Sequence, residues 1–499
     1  MAVRLVTRTT AQEEDRPARR RPFWLLLGLA TLLFTAFAGR IIPAPFGDSH
    51  DGRNAGVWAS GSRALLEHGA LESRMGTRSP ENGVYANHPP LLYVETALFQ
   101  AVGGDSPAVT RAPAWLGSLA VLALLAALLL DAGLHPTAVG ASVVLLAATP
   151  MFLVYGAMLD TPVTSLPFGL AVLLCRQRLL RGRRVPWPLA AGLTAVAVLA
   201  GWQSLLVAAV VGGWALLGLK RGSGDRTSDA AFAGGALAGA VLLIVWLVWA
   251  FGGTLAPLFD QFRLRTGETV PVPLGSLASV LRGDVTTMFG ITAVLGAAGL
   301  IVAVRDRRTR MLSVVALAVT LPYPVVFRSG AVNHDYWTYW FLLPIAIGLA
   351  AGVDRLLAGS GTRFRQELLV AATATAVAIL LAVGLWTRPD APLWAILQGR
   401  QAGAVAAASR LPPGQEVAWY MGAVGRPAAW LALATGRPAV AVAVAVADRT
   451  ELAEAHPLDL VFVGRMRCIA GEPHIAYAYE TAADLLSRPP EIPECRQGR

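Results

Sequence analysis

Long apolar segments alternate with short polar segments between residues 23 and 386. Several of the apolar segments reach about 20 residues, the length at which a helix crosses the hydrocarbon core of a bilayer. The pattern predicts eleven transmembrane helices, at residues 23–42, 112–131, 137–158, 161–178, 187–202, 203–219, 230–252, 286–304, 311–327, 337–357 and 368–386. We therefore expect an all-α polytopic membrane protein.

Residues 90–103 are also apolar, but they are too short to span a bilayer and they contain Glu95. A span here would reverse the sidedness of every later loop and place most arginine-rich loops outside the cell. We therefore predict an interfacial helix that lies on the outer membrane surface, within a long first outer loop at about 43–111.

The pattern changes after residue 386. Strands are predicted at Val417–Met421, Ala439–Ala447 and Leu458–Val463, and helices at Ala428–Thr435 and Thr450–His456. Such alternation is typical of a small α/β domain. The predicted organisation is a basic cytoplasmic N-terminus (1–22), a transmembrane domain (23–386) and an extracytoplasmic α/β domain (387–499).

The composition agrees with a membrane location, since 55% of the residues are hydrophobic and only 15% are charged. The net charge of +10 comes almost entirely from arginine, and Lys220 is the only lysine. On the predicted topology, all the basic segments lie on the side of the N-terminus: 16–21, 176–184, 220–226, 305–310 and 355–365. This positive-inside pattern predicts a multi-pass protein of the cell membrane with a cytoplasmic N-terminus and an extracytoplasmic tail. It also argues against a nucleic-acid partner.

The three cysteines, Cys175, Cys468 and Cys495, show no spacing that is typical of a metal site. Cys175 ends an apolar segment, and we expect it to be inert. Cys468 and Cys495 share the tail, where an extracytoplasmic location would permit a disulfide between them.

Polar residues of potential chemical use directly follow membrane helices on the predicted outer side. Asp48, Asp51 and Asn54 come just after the first helix, and Asp160 lies between two apolar segments. A carboxylate at a membrane boundary is costly unless it is paired or solvated, and it can act as a general base. The structural alternatives are a solvated loop for the first group and a helix cap for Asp160.

Five further side chains share this side. His88 precedes two prolines, Arg111 is an outer arginine that breaks the positive-inside pattern, and Arg328, His334 and Tyr336 lie in a late loop. Such groups can bind a phosphate or a hydroxylated ligand. The alternatives are helix-start punctuation for His88, snorkelling for Arg111 and an aromatic belt for the late loop.

Together these segments resemble the glycosyltransferase C superfamily, and most of all its branch of protein O-mannosyltransferases and aminoarabinose transferases (glycosyltransferase family 39). The resemblance covers roughly residues 23–350. It rests on five elements in order: His50-Asp51-Gly52-Arg53-Asn54 with Arg63 and Gly69 downstream, Tyr85 to Leu91, Gly103-Gly104 before Arg111, Asp160-Thr161-Pro162, and His334, Tyr336 and Pro344.

Two positions depart from the family pattern. Gly52 follows Asp51 where most members have glutamate, so the register of the catalytic aspartate lies between Asp51 and Asp48. His88 stands where a lysine usually precedes the two prolines, and a histidine carries a charge only near or below neutral pH.

The resemblance implies a sugar donor that is carried on a polyprenyl phosphate and arrives through the membrane lipid. Asp51 is then the base for an acceptor hydroxyl on a glycan, lipid or protein, and direct attack inverts the anomeric configuration. The leaving phosphate needs charge stabilisation. The implied donor contacts are His88, Arg111, His334 and Arg328, with Asn54 and Tyr336. Asp160 is implied to be a further catalytic carboxylate, which orients one of these cations or contacts the sugar. No cofactor is certain; a divalent metal is compatible with the superfamily, and the sequence does not decide whether one is used.

A transporter or flippase of a lipid-linked or small polar substrate is the alternative function. Transporters carry ionisable groups or broken helices near the bilayer midplane. The predicted spans after the first have no charged residue in their central portions, and polar residues cluster in the outer loops, so we favour surface chemistry. Because the tail is predicted on that same side, we hypothesise that it helps to recognise the acceptor.

Overall fold

The computed structural model describes residues 16–44, 46, 50–79, 83–222, 225–268, 271–358 and 363–387, and the strand segments 417–420, 439–442, 461–469 and 472–480. Up to residue 387 the described chain is almost entirely helical. The α-helices are α1 Arg16–Ile41, α2 His50–Ser73, α3 Leu91–Gly103, α4 Pro107–Asp131, α5 Pro136–Ala147, α6 Pro150–Tyr155, α7 Thr161–Leu180, α8 Trp187–Ala200, α9 Trp202–Arg221, α10 Arg226–Ala250, α11 Ala256–Thr266, α12 Leu274–Phe289, α13 Ile291–Arg305, α14 Arg310–Thr320, α15 Pro322–Val326, α16 Arg328–Asn333, α17 Leu342–Ala358 and α18 Arg363–Trp386. A 3-10 helix, Asp335–Phe341, leads into α17, and strands β1 (Thr77–Ser79) and β2 (Gly83–Tyr85) form a hairpin before α3.

Among the described residues, seven helical segments are long and apolar enough to cross a membrane. They are α1, α4, α7, α9, α10, α18 and the 3-10 helix with α17; α12 and α13, bent by 105°, give an eighth if they form one span. The prediction of a polytopic α-helical membrane protein is confirmed. The predicted total of eleven would require α5, α8 and α14 with α15 to cross as well, and it stays a prediction.

Prolines interrupt two of the predicted helices. The predicted helix 137–158 is in fact α5 followed by α6, because Pro150 has no N–H with which to continue α5 and the Thr149 hydroxyl accepts from the Phe152 N–H at 3.3 Å. In the predicted helix 311–327, Pro322 interrupts the hydrogen bonding in the same way, but Leu321 keeps helical dihedral angles and Arg310–Val326 continues as one apolar helix. Hydrophobicity conceals both interruptions, since the chain is apolar on either side of them.

The segment predicted as a long outer loop is largely structured. It contains α2, which is kinked at Gly69, the β1–β2 hairpin and α3, which has nearly the bounds predicted for the interfacial helix. Glycine permits the close packing of α2 on α3, because a Cβ built on Gly61 would lie 2.3 Å from the ring of Tyr93. The helix α2 and the hairpin within residues 43–111 were not predicted, whereas the location of this segment outside the cell stays a prediction.

Polar contacts gather at the two opposite ends of the bundle. At one end the α4–α5 turn is held by Arg181 and Arg308, which donate to the carbonyl oxygens of Ala132 and Gly133. At the other end α1 and α18 finish side by side, with the Arg40 guanidinium 5.2 Å from the ring centroid of Trp386. The final residues of α18 therefore lie at the same end of the bundle as the connection from α1 to α2.

Four strands are described beyond residue 388. They are β3 (Val417–Tyr420), β4 (Ala439–Val442), β5 (Val461–Ile469) and β6 (Glu472–Glu480). The sheet order is β4-β3-β5-β6, with the first three parallel and β6 antiparallel to β5. The two helices predicted in the tail, and Cys495, lie outside the described residues, so the α/β domain and the disulfide from Cys468 to Cys495 stay predictions.

Candidate active site

Asp160 is the centre of a polar cluster at the end of the bundle where α1 finishes. It caps α7, and its carboxylate accepts from the backbone N–H of Thr161 and from the side-chain amide of Asn54, both at 2.7 Å. Trp58 and Tyr336 also hydrogen-bond to the carboxylate. Helix α2, helix α7 and the 3-10 helix thus converge on one acid that is only 5% exposed.

Asp160 differs from the other buried carboxylates among the described residues. Each of those others has a cationic or histidine partner: Asp51 with Arg111, Asp131 with Arg183, Asp229 with Arg176, Asp354 with Arg308, and Glu367 with His135. The described contacts of Asp160 are with uncharged donors alone. A buried charge is expensive without a counter-charge, so this exception points to function rather than to stability.

The proton affinity of Asp160 follows from this environment. Burial raises the pKa of Asp160 from 3.8 to about 6, and the donors on Thr161, Trp58, Asn54 and Tyr336 limit the rise because they stabilise the charged form. A carboxylate with such a pKa is ionised at neutral pH and still accepts a proton readily. Those are the properties of a general base.

Asp51 lies one helical turn before Asn54 on α2, and it forms an ion pair with Arg111. The closest atoms of the pair are 2.6 Å apart, and the side chains are 2% and 0% exposed. The Arg111 guanidinium also donates to the carbonyl oxygens of Ile42 and Ala44, and it lies 4.8 Å from the ring centroid of Phe46. Arg111 thus ties the end of α1 to the start of α2. A phosphate could reach it only by displacing these groups.

Two imidazoles and a guanidinium are connected to Asp160 through its hydrogen-bond partners Thr161 and Tyr336. His88 approaches from the loop before α3, with Nδ1 3.4 Å from the Thr161 hydroxyl. Burial first, and then the nearby Arg265 guanidinium, lower the pKa of His88 to about 3. His88 is therefore neutral at physiological pH. It can donate one hydrogen bond but supplies no positive charge.

The charge of this group belongs to Arg265 of α11. Its guanidinium donates to Nε2 of His334 across 2.5 Å and lies 5.5 Å from the ring centroid of Trp337. His334 in turn lies beside Tyr336, with the ring centroids 5.3 Å apart. Arg265 was not among the predicted site residues. Like Arg111, it is an arginine on the predicted outer side, and this departure from the positive-inside pattern could have identified it from the sequence.

The predicted residues thus separate into groups. Five of them, Asn54, His88, Asp160, His334 and Tyr336, meet in one cluster, while Asp51 and Arg111 pair one turn away. Arg328 lies apart, and its guanidinium donates to the Val272 carbonyl oxygen at 3.4 Å. Asp48 lies outside the described residues.

No metal site is evident in the described part of the chain. It contains no group of three or more His, Cys, Asp or Glu side chains that could hold a metal ion. We assign no chemical step to a metal.

Comparison with known proteins gives a fold. No protein-family model and no curated protein matches the sequence. ArnT from Cupriavidus metallidurans bound to undecaprenyl phosphate aligns with a TM-score of 0.58 at 15% identity, over 87% of this chain and 88% of that one. The Archaeoglobus fulgidus oligosaccharyltransferase AglB, in complex with an inhibitory peptide and a dolichol-phosphate, gives 0.57 at 14% identity, over 89% and 69%. The mycobacterial arabinofuranosyltransferase AftD gives 0.53 at 18% identity, over 89% and 35%.

The structural neighbours are membrane glycosyltransferases of the glycosyltransferase C superfamily. The resemblance inferred from the sequence motifs is therefore confirmed at the level of the fold.

Proposed function

We propose that this protein, which has the glycosyltransferase C fold, is a membrane enzyme that transfers a sugar from a polyprenyl phosphate to an acceptor hydroxyl. The observation that carries the proposal is the environment of Asp160. It is a buried carboxylate held by uncharged donors, two of which, on Thr161 and Tyr336, belong to residues that contact His88 and His334, and His334 accepts from the Arg265 guanidinium. A base beside an anion-binding surface is what sugar transfer from a phosphate requires.

The donor phosphate is assigned to the side formed by Arg265, His88 and His334. Arg265 supplies the positive charge and a forked set of N–H donors that suits phosphate oxygens. Neutral His88 adds a hydrogen bond. The ArnT and AglB structures, which contain undecaprenyl phosphate and dolichol-phosphate, support a carrier of this class. The roles first expected for Arg111 and Arg328 pass to Arg265 in this proposal.

The acceptor is assigned to the side of Asp160. As the acceptor oxygen forms a bond to the anomeric carbon, its proton moves to the Asp160 carboxylate. The bond from the anomeric carbon to the phosphate oxygen breaks, and its electron pair leaves with the phosphate, which Arg265 stabilises. Attack opposite to the leaving group inverts the anomeric configuration. Asp51, the base expected from the sequence, instead compensates the charge of Arg111.

The test is transfer by the purified protein in lipid nanodiscs that contain polyprenyl-phosphate sugars. Surface glycans and lipids that disappear when the gene is deleted identify the acceptor by mass spectrometry, and NMR of the product reports the anomeric configuration. We expect Asp160→Asn to abolish transfer with its fold intact. Asp131→Asn is the matched control, since Asp131 is a buried carboxylate at the opposite end and should leave transfer unchanged. Equal transfer by the two variants would refute the assignment.

The proposal also requires that the cluster face the outside of the cell. Ser106 and Arg307 are exposed residues at opposite ends of the bundle, in the turn before α4 and in the turn after α13. In a variant without native cysteines, Ser106→Cys should react with a membrane-impermeant maleimide added to whole cells. Arg307→Cys should react only after the membrane is opened. The reverse pattern would put the site in the cytoplasm and end the proposal.

The acceptor, whether glycan, lipid or protein, is expected to contact the C-terminal tail as well. Removing residues 390–499 should then change which acceptors are used while leaving donor binding in place. Unchanged transfer to every acceptor would exclude this role for the tail.

A further inference from the structure

We infer that Tyr155 and Asp335 form a positioning pair that holds Tyr336 and Asn54 against Asp160. Neither residue is assigned to the substrate, so both act through others. The inference rests on the proposed function for its kinetic consequence, but the hydrogen-bonded chain on which it is based is independent of any substrate.

The pair joins two elements that lie far apart in the sequence. Tyr155 is the last residue of α6, is fully buried, and precedes Asp160 by five residues. Its hydroxyl lies 2.9 and 2.8 Å from the two carboxylate oxygens of Asp335, the first residue of the 3-10 helix. The segment that carries Asp160 is thereby fixed to the element that carries Tyr336.

Asp335 passes this constraint to Tyr336. One oxygen of its carboxylate also accepts from the backbone N–H of Tyr336 at 2.8 Å, which fixes the start of the 3-10 helix. The Tyr336 hydroxyl accepts from the side-chain amide of Asn54 at 3.0 Å, and the same amide donates to Asp160. The chain from Tyr155 through Asp335, Tyr336 and Asn54 returns to Asp160, so it closes into a ring.

This ring affects the base through the donors that it positions. Hydrogen bonds from Asn54 and Tyr336 stabilise the charged form of Asp160, so loosening them should raise the pKa of Asp160 further. The other charged or titratable side chains near Asp160 include Asp51 with Arg111 one turn along α2, His88, Arg265, Tyr93 and Tyr323. A substitution at Tyr155 replaces none of these residues, and Asp284 of α12 is the titratable group that interacts with Tyr155 and Asp335 from the other side of the pair.

Tyr155→Phe removes only the hydroxyl, and the chain offers a matched control. Tyr339 of the 3-10 helix is equally buried, and its hydroxyl lies 2.9 Å from that of Ser118 rather than near Asp335. Both changes delete one buried tyrosine hydroxyl. We expect Tyr155→Phe to lower kcat by about 10- to 100-fold, because small displacements of a reacting group cost rates of that size. The KM for the donor should change less than about twofold, since the cationic side is untouched.

The pH profile separates positioning from simple destabilisation. In Tyr155→Phe the acidic limb of kcat/KM should move upward by about one unit, as expected when a hydrogen bond to a charged group is weakened. In Tyr339→Phe it should stay in place. Asp335→Asn, whose side-chain carbonyl still accepts from Tyr155, should keep more activity than Asp335→Ala. Identical profiles for the two tyrosine variants would overturn the inference.

A second readout does not require catalysis. Infrared spectroscopy can follow the protonated carboxyl band of Asp160, identified by its loss in Asp160→Asn, as a function of pH. If the protein transfers no sugar but this titration moves upward in Tyr155→Phe alone, the proposed function fails and the positioning pair stands. If transfer occurs and the titration is unmoved, the positioning pair fails.

Discussion

Asp51→Asn distinguishes a structural carboxylate from a chemical one. In the native protein Asp51 and Arg111 are 2% and 0% exposed and 2.6 Å apart, so the aspartate is the counter-charge of a guanidinium that has no access to water. The asparagine keeps the shape of the side chain and removes the charge. The carbonyl oxygens of Ile42 and Ala44 still accept from the guanidinium, but they do not neutralise it.

The burial of this ion pair determines how much stability Asp51→Asn should lose. Removing one member of a buried ion pair destabilises a protein by about 3–5 kcal/mol, because the remaining charge is left uncompensated. Since about 1.36 kcal/mol corresponds to a factor of ten, the folded-to-unfolded ratio should fall by about 150- to 5,000-fold. Asp51→Leu combined with Arg111→Met should recover most of this loss, because the double change leaves no unpaired charge.

The assay is unfolding by SDS in mixed micelles, followed by circular dichroism. Asp131→Asn is the control: Asp131 is also buried, but its partner Arg183 is 60% exposed and is solvated when the carboxylate is lost. Its cost should stay below about 1 kcal/mol. If Asp51→Asn unfolds like the native protein yet transfers no sugar, Asp51 is the chemical group and the assignment of the base to Asp160 is wrong.

Four further outcomes are expected. The kcat/KM should rise about tenfold per pH unit up to about pH 6 and then level off, because Asp160, whose pKa is raised to about 6, must be ionised to act as base. The raised pKa also means that the contribution of Asp160 to the free energy of unfolding, complete below pH 3.8, is lost as the pH rises through 6. A stability–pH curve of Asp160→Asn should lack this slope. Arg265→Gln should raise the donor KM by about 10- to 150-fold, the effect expected from the loss of a hydrogen bond to a charged group. Arg263→Gln on the same helix, whose side chain is exposed, should change the donor KM little. Equal effects would refute the assignment of the donor phosphate to Arg265. Gly61→Ala should destabilise the fold by about 1–3 kcal/mol in the same SDS assay, since its Cβ would clash with α3, and Gly28→Ala, which has nothing within 4 Å, should be neutral.

The sequence predicts the long membrane helices well because their signal is an average over about 20 residues. The predicted helices 161–178 and 368–386 correspond to Thr161–Leu180 and Arg363–Trp386. Local chemistry is averaged away by the same procedure, which is why the division at Pro150 was missed. Helix α2 was missed for a related reason: apart from Trp58, which packs on Tyr93 of α3, many of its buried positions are glycine and alanine, and these residues add little to a hydrophobic pattern.

The candidate site was predictable where chain connectivity alone sets the position. Asp160 lies between two predicted helices and Asn54 follows the first predicted helix by 12 residues, so parity predicted both at one end of the bundle, and Nδ2 of Asn54 lies 2.7 Å from Oδ2 of Asp160. Arg265 lies in the segment 253–285, which contains five other charged residues of equal standing in the sequence. Only the packing of α11 beside the end of α16 selects it, and this is a tertiary contact with no local signature.

The choice of donors around Asp160 has a chemical reason. An arginine partner would stabilise the buried carboxylate more strongly, as it does for Asp51 and Asp229, but it would also hold the carboxylate in its charged form and weaken it as a base. Neutral donors from Asn54, Trp58 and Tyr336 stabilise the charge only in part, and this leaves the pKa near 6. The Arg265 guanidinium instead binds His334. In the proposed reaction this separation of the positive charge from the base sacrifices stability at one point of the bundle, and it lets Asp160 accept a proton while Arg265 stabilises the departing phosphate.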